Sequence, residues 1–404
     1  MTLRRKLAVI FILYLAEGIP YGFVLNTLSV YFRLHGMDLR AIGLVGLIGL
    51  PWSLKFLWAP LVDRWGRRFW WIVPAQCVVA ACILGLTALD PAQPHWLLWL
   101  LVLGLCVAGA TQDIAIDAYT IDLLRQEELG VANGTRVAAY RVALLSASGG
   151  VVALSEWTGW AIAFAALAVL LLAIAATIAM HRGFHAPRVG AIVHTGWRDW
   201  WRSWWLPLQD ILSRRAIWAV LLFLLTFKIG DAVMGLMVST FWVDRGLTRH
   251  EIGFLQTTSG MGMTVLGSVI GGLCTTRWGI GRALWVLGAL QALSNLGYAA
   301  AALPHMPAAA IYPASYFESF TAGLGTAAFM AFTMALCKKQ FSASEFALYS
   351  ALTSLTTQFA RYGGSLIAHE WGYFALFVSS FFCALPAFAL LPWILPLLRT
   401  RAHD

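Results

Sequence analysis

The feature that most constrains this chain is repetition: apolar runs of roughly 20 residues or more recur from one end to the other, parted by short turns rich in arginine. A helix rises about 1.5 Å per residue, so about 20 residues cross the ~30 Å hydrocarbon core of a bilayer. Runs near residues 7–32, 41–62, 70–89, 96–122, 132–156, 160–180, 217–243, 251–275, 282–303, 308–336, 344–368 and 372–398 meet that length and predict twelve spans. They are continuously apolar rather than alternating, which excludes a β-barrel. With 60% hydrophobic and only 12% charged residues, the chain is no ordinary soluble globule. The expected class is an all-α integral membrane protein.

The first run follows Arg4-Arg5-Lys6 like the core of a signal peptide, yet it carries Glu17 and Pro20, continues to Tyr31 and lacks a cleavage site. It reads as the first span. The formal charge of +9 raises the question of nucleic acid, but the basic residues sit in short loops, where they orient a membrane protein. With the N-terminus inside, nineteen of the 28 Lys and Arg fall on the cytoplasmic side, four on the other side (Arg33, Arg40, Arg245, Arg249) and five within spans. That bias predicts both termini in the cytoplasm. The six cysteines lie within or at the ends of spans without metal-ligand spacing and read as packing residues.

Two matches at nearly one offset suggest a duplicated six-helix unit. Arg64-Trp65-Gly66 after span 2 recurs as Arg277-Trp278-Gly279 after span 8, and Gly36 followed by Ile42-Gly43 recurs as Gly246 followed by Ile252-Gly253. The expected organisation is an N-terminal bundle over 1–180, a linker over 181–215 and a C-terminal bundle over 216–404. In the linker, Trp197, Trp200, Trp201, Trp204 and Trp205 alternate with Arg198 and Arg202, a pattern for an amphipathic segment lying on the cytoplasmic leaflet.

Function is expected where charges enter the spans, because an ionised side chain in hydrocarbon costs several kcal/mol and turns toward a partner or a wet interior. Asp113 and Asp117 lie four residues apart on one face of span 4. Glu17 in span 1, Lys55 in span 2, and Lys228 with Asp231 in span 7 reach comparable depth. Counting along the helices puts Arg141 of span 5 level with the aspartate pair, as its expected partner, and Glu318 of span 10 level with Arg361 of span 11. Asp113, Asp117, Glu17 and Asp231 are the proton-coupling candidates. Lys55, Gln112, Tyr140, Arg141, Lys228, Glu318, Arg361 and Asn295 are the substrate-binding candidates. Asn26, Trp52, Gln256, Tyr298, Tyr316 and Gln358 are further polar groups of that kind, each equally suited to an interhelical hydrogen bond. Gly18 with Pro20, and Gly323 with Gly325, either loosen spans 1 and 10 or pack them closely.

The loop Asp63-Arg64-Trp65-Gly66-Arg67-Arg68 resembles the D-R-x-G-R-R loop of the major facilitator superfamily. That resemblance implies twelve transmembrane helices in two six-helix bundles around a central cavity, with Asp63, Arg64, Arg67 and Arg68 as a gating loop that stabilises one end state. In the second half Thr276 stands in the aspartate's place, and the duplicate reads as degenerate.

Longer segments are similar to the AmpG family of muropeptide permeases, part of a group that includes acetyl-CoA transporters. They are Lys55-Phe56-Leu57-Trp58-Ala59-Pro60-Leu61-Val62-Asp63-Arg64, Gln112-Asp113-Ile114-Ala115-Ile116-Asp117-Ala118, Lys228-Ile229-Gly230-Asp231-Ala232, Leu290 to Tyr298, and the run from Phe317-Glu318 to Phe346-Ala347-Leu348. The resemblance implies proton-driven import across a bacterial inner membrane, with anhydromuropeptides as cargo. The familiar permeases carry extra hydrophobic C-terminal segments, whereas this chain ends at Asp404. Shorter relatives include siderophore importers similar to FptX and RhtX, whose start resembles Glu17-Gly18-Ile19-Pro20-Tyr21-Gly22, so a siderophore is the alternative cargo.

The expected partners are a small-molecule substrate and membrane lipids, with no nucleic acid, no cofactor beyond the proton gradient, and a monomeric state. A membrane-embedded transferase is disfavoured because all nine histidines lie in loops or at span ends. A non-transporting sensor has no need for so many intramembrane charges.

Overall fold

The computed structural model describes residues 1–35, 50–64, 67–91, 95–180, 197–214, 216–235, 237–248, 251–252 and 254–400, without the side chains of 197–204 and 256–258 among others. The regular secondary structure of the described residues is helical. In chain order the α-helices are α1 (Leu3–Gly22), α2 (Leu28–Leu34), α3 (Leu50–Leu54), α4 (Ala59–Arg64), α5 (Phe69–Leu86), α6 (Trp96–Leu123), α7 (Leu129–Leu145), α8 (Val151–Thr158), α9 (Trp160–Met180), α10 (Trp197–Leu212), α11 (Ile217–Thr226), α12 (Ile229–Gly235), α13 (Met237–Asp244), α14 (Gly260–Trp278), α15 (Ile280–Ala301), α16 (Ile311–Leu336) and α17 (Ser342–Thr400). Seven helical runs among the described residues are long and apolar enough to cross a membrane. Their outward surface is apolar: Trp157, Trp218, Trp371 and Trp393 are each at least 73% exposed, as lipid-facing or interfacial residues are. The chain is a multi-pass membrane protein.

Several spans are broken, and each break has a local cause. Helix α1 passes into α2 through a π-helical turn over Phe23–Thr27, and α7 passes into α8 through another over Ser146–Gly150. A π turn leaves carbonyls out of the usual ladder. Here the two turns meet, and the Thr27 hydroxyl donates to the Ala147 carbonyl at 2.6 Å. A third π turn, Phe254–Ser259, leads into α14. The second span changes from α3 to a 3₁₀ turn at Lys55–Leu57 before α4 begins. The seventh loosens at Phe227-Lys228, between α11 and α12. Both breaks fall beside a lysine, so each sets a charged side chain at a bend.

The repeat spacing of 213 residues is visible in the backbone. Gly159, between α8 and α9, has φ 81°, and Gly372, which divides the long α17 run, has φ 78°. Both require glycine, since a Cβ strains that region. Gly279, at the end of the second Arg-Trp-Gly, has φ 79°, and Gly246 has φ 82°. The first-half counterparts Gly36, Ile42, Gly43, Trp65 and Gly66, and Gly253 in the second half, lie outside the described residues, as do Arg40, Arg249, Arg401 and residues 181–196 of the linker.

The chain forms two compact units. Unit 1 takes Met1–Leu124, Ala139–Pro207 and Cys337–Ala351, and unit 2 takes Arg125–Ala138, Leu208–Leu336 and Leu352–Asp404. In unit 1, Ile10, Leu13, Tyr14, Phe23 and Phe164 are fully buried, with Phe23 and Phe164 edge to face at 4.9 Å. In unit 2, Phe223 meets Phe332 at 5.0 Å, while Tyr298 and Phe377 anchor a second cluster. Close approach of α1 to α7 depends on Gly18, where a Cβ would come within 2.7 Å of that of Ala143. Gly323 and Gly325 of α16 are equally closed in, so these glycines pack helices closely.

Candidate functional site

The centre of unit 1 is a buried cluster of charges. Helix α6 presents Asp113 and Asp117 on one face, and α1 presents Tyr14 and Glu17, three residues apart, against it. The 3₁₀ turn brings Lys55 between them. The Lys55 ammonium is ion-paired and hydrogen-bonded to Asp113 Oδ2, and lies 3.5 Å from Asp117 Oδ2. Tyr14 donates to Asp117 Oδ1 at 2.8 Å. One oxygen each of Glu17, Asp113 and Asp117 lies within 4.8 Å of the others. All four charged residues are at most 8% exposed. Among the described residues this is the carboxylate group dense enough to hold a metal ion, and the Lys55 ammonium already supplies a cation there. Burial of charge is tolerable only with such pairing. Three carboxylates around one ammonium make a buried group with an excess of negative charge among the residues named here.

Two pairings expected from depth do not form. Lys55, not Arg141, is the partner of the aspartates; Arg141 is exposed and makes no ion pair among the described residues. Depth fixes a level along a helix but not a direction around it. Tyr140 faces the group, within the electrostatic neighbourhood of Glu17 and Asp113 and with its ring 6.4 Å from that of Tyr21. Arg141, about 100° further round, therefore points elsewhere. Arg361 is likewise exposed and makes no ion pair among the described residues, while Glu318 is half-buried with Ser319 at 3.4 Å. Gln112 and Asn295 are fully buried among packed helices, and their amide atoms have no hydrogen-bond partner among the described residues. The Gln256 side chain lies outside the described residues. Asn26 and Gln358 are exposed, and Trp52, Tyr316 and Tyr140 are half-buried.

Unit 2 holds a smaller network. Lys228 reaches Asp231 at 3.3 Å and donates to Thr326 Oγ1 at 2.9 Å. Gln291 of α15 donates to the same oxygen of Asp231, and its own carbonyl oxygen rests against Gly325, where a Cβ would collide with it. Gln291 and Thr326 lie inside the segments that carry the family resemblance, but neither is among the candidate site residues read from the sequence.

The loop after the second span forms a third group, also in unit 1. The Arg68 guanidinium bonds Asp63 at 2.9 Å, Asp122 at 3.1 Å and the Val62 carbonyl at 2.7 Å. It donates to Ser342 Oγ as well, at 2.9 Å, and Ser342 in turn donates to Asp122. The Asp63 carboxylate accepts the backbone N–H groups of Ala343 and Ser344 at 3.2 and 2.8 Å, capping the start of α17 from outside. A helix N-terminus has unsatisfied donors and a positive dipole end, so an anion there is doubly favoured. Unit 2 has its counterpart: Thr276, 213 residues after Asp63, accepts the backbone N–H of Val131 in the first turn of α7 at 2.7 Å. Thr276 keeps the cap and gives up the charge. The half of the repeat that reads as degenerate thus retains its contact.

Ionic or polar networks on broken, apolar spans, two of them buried and one part-buried, are the architecture of a secondary transporter. Residues 7–360 match the Major Facilitator Superfamily. The chain is 33% identical to the anhydromuropeptide permease of Escherichia coli (strain K12) over 396 residues, covering 95% of this chain and 78% of that one. It belongs to the AmpG family of that superfamily. A Rickettsia conorii member that bears the name transporter AmpG 4 is 30% identical over 406 residues, 96% of each chain. Solved structures share the superfamily fold: the human organic anion transporter MFSD10 (TETRAN) at TM-score 0.68, with 15% identity over 97% of this chain and 100% of its own, and a bacterial homologue of the iron transporter ferroportin at TM-score 0.67, with 16% identity over 97% and 98%. This AmpG-family chain is accordingly a transporter of a small molecule, with an all-α major facilitator fold.

Proposed function

We propose that the chain is a proton-coupled importer of anhydromuropeptides across a bacterial inner membrane, working as a monomer with both termini in the cytoplasm. The observation that carries the coupling is the buried cluster of Glu17, Asp113 and Asp117 around the single Lys55 ammonium. Such a group changes charge by one proton at small cost, and a carrier that takes up a proton there changes the balance between its end states. Asp231, tied to Lys228 and Gln291, is a second carboxylate for that role. The cargo rests on likeness to the Escherichia coli permease. Lys55, Lys228, Arg141 and Arg361 supply the positive charges for an anionic sugar-peptide. Gln112, Tyr140, Glu318 and Asn295 are the remaining candidates for its polar groups. Asp63, Arg64, Arg67 and Arg68 act as the gating loop, with the Asp63 cap holding one end state closed.

The test is uptake of labelled anhydromuropeptide and of a ferric siderophore into proteoliposomes under an imposed pH gradient, comparing the parent with Asp113→Asn and Asp117→Asn. Gradient-dependent muropeptide uptake that is lost in either variant is the expected result. Siderophore uptake alone would reassign the cargo, and uptake indifferent to the gradient would remove the proton from the mechanism.

A further inference from the structure

We propose that Lys228 and Asp231 act as one unit that reads two neighbouring hydroxyls on a sugar ring, the ammonium donating to one oxygen and the carboxylate accepting from the other. The inference deepens the reading of the chain as an importer of a sugar-peptide and rests on it for the identity of the cargo. It assigns this pair to the sugar.

Both side chains are held from behind. Gln291 of α15 donates to Asp231 Oδ2, and the Lys228 ammonium lies 3.3 Å from that same oxygen. Gln291 reaches it because Gly325 of α16 leaves room for its amide, where a Cβ would collide with Gln291 Oε1. Next to Gly325, Thr326 accepts from Lys228 at 2.9 Å. Both donors to Asp231 fall on Oδ2, and Oδ1 accepts no hydrogen bond among the described residues. An ammonium has three N–H donors, of which Asp231 and Thr326 take two. The network therefore ends in one open donor and one open acceptor side by side. Neither is sealed in, since the Asp231 side chain is 25% exposed and that of Lys228 15%. A charged edge on a span turns to water or to a ligand rather than to hydrocarbon.

The chemistry of that edge selects what it takes. The two charges compensate each other, so a lone anion has to compete with Asp231 for the ammonium, and a lone cation with Lys228 for the carboxylate. A neutral group with a donor and an acceptor on adjacent positions competes with neither. The 3.3 Å separation of ammonium and carboxylate is wider than the spacing of N and O within one amide, and close to that of oxygens on neighbouring ring carbons. Vicinal hydroxyls fit, since each can donate or accept, and both bonds they make here are charge-assisted. A zwitterion matches the signs but has to shed the hydration of two full charges.

Saturation-transfer NMR on the full chain in detergent measures binding without transport. The probes are methyl N-acetylglucosaminide, whose hydroxyls at C3 and C4 are neighbours, its 3-deoxy and 4-deoxy forms, and alanine as a zwitterion. Parent, Asp231→Asn and the double variant Lys228→Met with Asp231→Leu are compared. In the parent each deoxy sugar is expected to bind about tenfold more weakly than the intact one, the effect of one lost charge-assisted bond. That preference shrinks in Asp231→Asn and vanishes in the double variant. Should Asp231→Asn fail to fold, the double variant carries the test, because it leaves no charge stranded. Equal binding of the three sugars by the parent, no sugar binding at all, a preference that survives in the double variant, or alanine bound more tightly than the sugar overturns the assignment. Muropeptide uptake into proteoliposomes separates the two levels. Uptake by a parent without the sugar preference removes this pair from recognition and leaves the importer standing. A preference without uptake keeps the sugar site and removes the muropeptide as cargo.

Discussion

Asp63 and Ser344 are joined twice: Asp63 Oδ2 accepts the backbone N–H of Ser344 at 2.8 Å and its hydroxyl at 2.6 Å. These residues lie 281 positions apart in sequence. The first half of the chain therefore ends one of its helices on a carboxylate that also terminates a helix of the second half. Asp63→Asn keeps the shape and removes the charge. A cap lost in this way costs ~1 kcal/mol, more where the bond is charge-assisted. Transport rate is expected to fall about tenfold on that basis, with Ser344→Ala showing a smaller loss. Initial uptake rates in proteoliposomes check this, and an Asp63→Asn carrier as fast as the parent would remove the loop from gating.

Thr276 makes the corresponding bond to Val131 N–H with a neutral oxygen. Thr276→Val is expected to destabilise the protein by ~0.5–2 kcal/mol, and Thr276→Asp to stabilise it by ~0.3–1 kcal/mol through the added charge at a helix start. Thermal unfolding in detergent should rank Asp above Thr above Val. The reverse order for Asp would mean that the carboxylate cannot be accommodated beside Gly130.

Lys55 is expected to hold unit 1 together as well as serve it. Lys55→Met strands Asp113 and Asp117 without their cation, a loss of about 3–5 kcal/mol for a broken buried pair. Adding Asp113→Asn to Lys55→Met removes one of the stranded charges and should recover part of the loss. A double variant less stable than Lys55→Met alone would show that Asp113 is held by other groups.

Gly363 and Gly364 are neighbours with opposite surroundings. A Cβ on Gly364 would run into the Val233 carbonyl, whereas one on Gly363 meets nothing within 4 Å. Gly364→Ala is expected to cost ~1–3 kcal/mol through overpacking. Gly363→Ala should be neutral or stabilising by up to ~1 kcal/mol from helix propensity. Melting temperatures of the two variants decide it, and equal values would contradict the packing of α12 against α17.

The fold was readable because the bilayer demands it: apolar runs of a fixed minimum length, with arginine in the turns, admit few other arrangements. The acidic members of the unit 1 cluster were readable for the same reason, since Glu17, Asp113 and Asp117 interrupt hydrocarbon-like sequence. Their partner was not. Choosing Lys55 over Arg141 needs the azimuth of α7 and the 3₁₀ turn at Lys55–Leu57, neither of which periodicity within a uniformly apolar helix reveals. Tyr14 is quieter still, because a tyrosine in a span is chemically unremarkable until its hydroxyl is seen to have an acceptor. Its spacing of three residues from Glu17 was the available sign. Thr276 looked like decay because the comparison with Asp63 weighed charge, whereas a backbone N–H asks only for an oxygen.

The paired π turns at Phe23–Thr27 and Ser146–Gly150 carry a consequence for how such chains diverge. A π turn closes its hydrogen bond over one residue more than an α-helical turn. Each of these helices thus holds a spare residue, and Thr27 has tied the two irregularities to each other. Single-residue deletions here should straighten a helix where elsewhere they would rotate every side chain beyond them by about 100°. Length differences of one residue between relatives should therefore collect at these two turns, together.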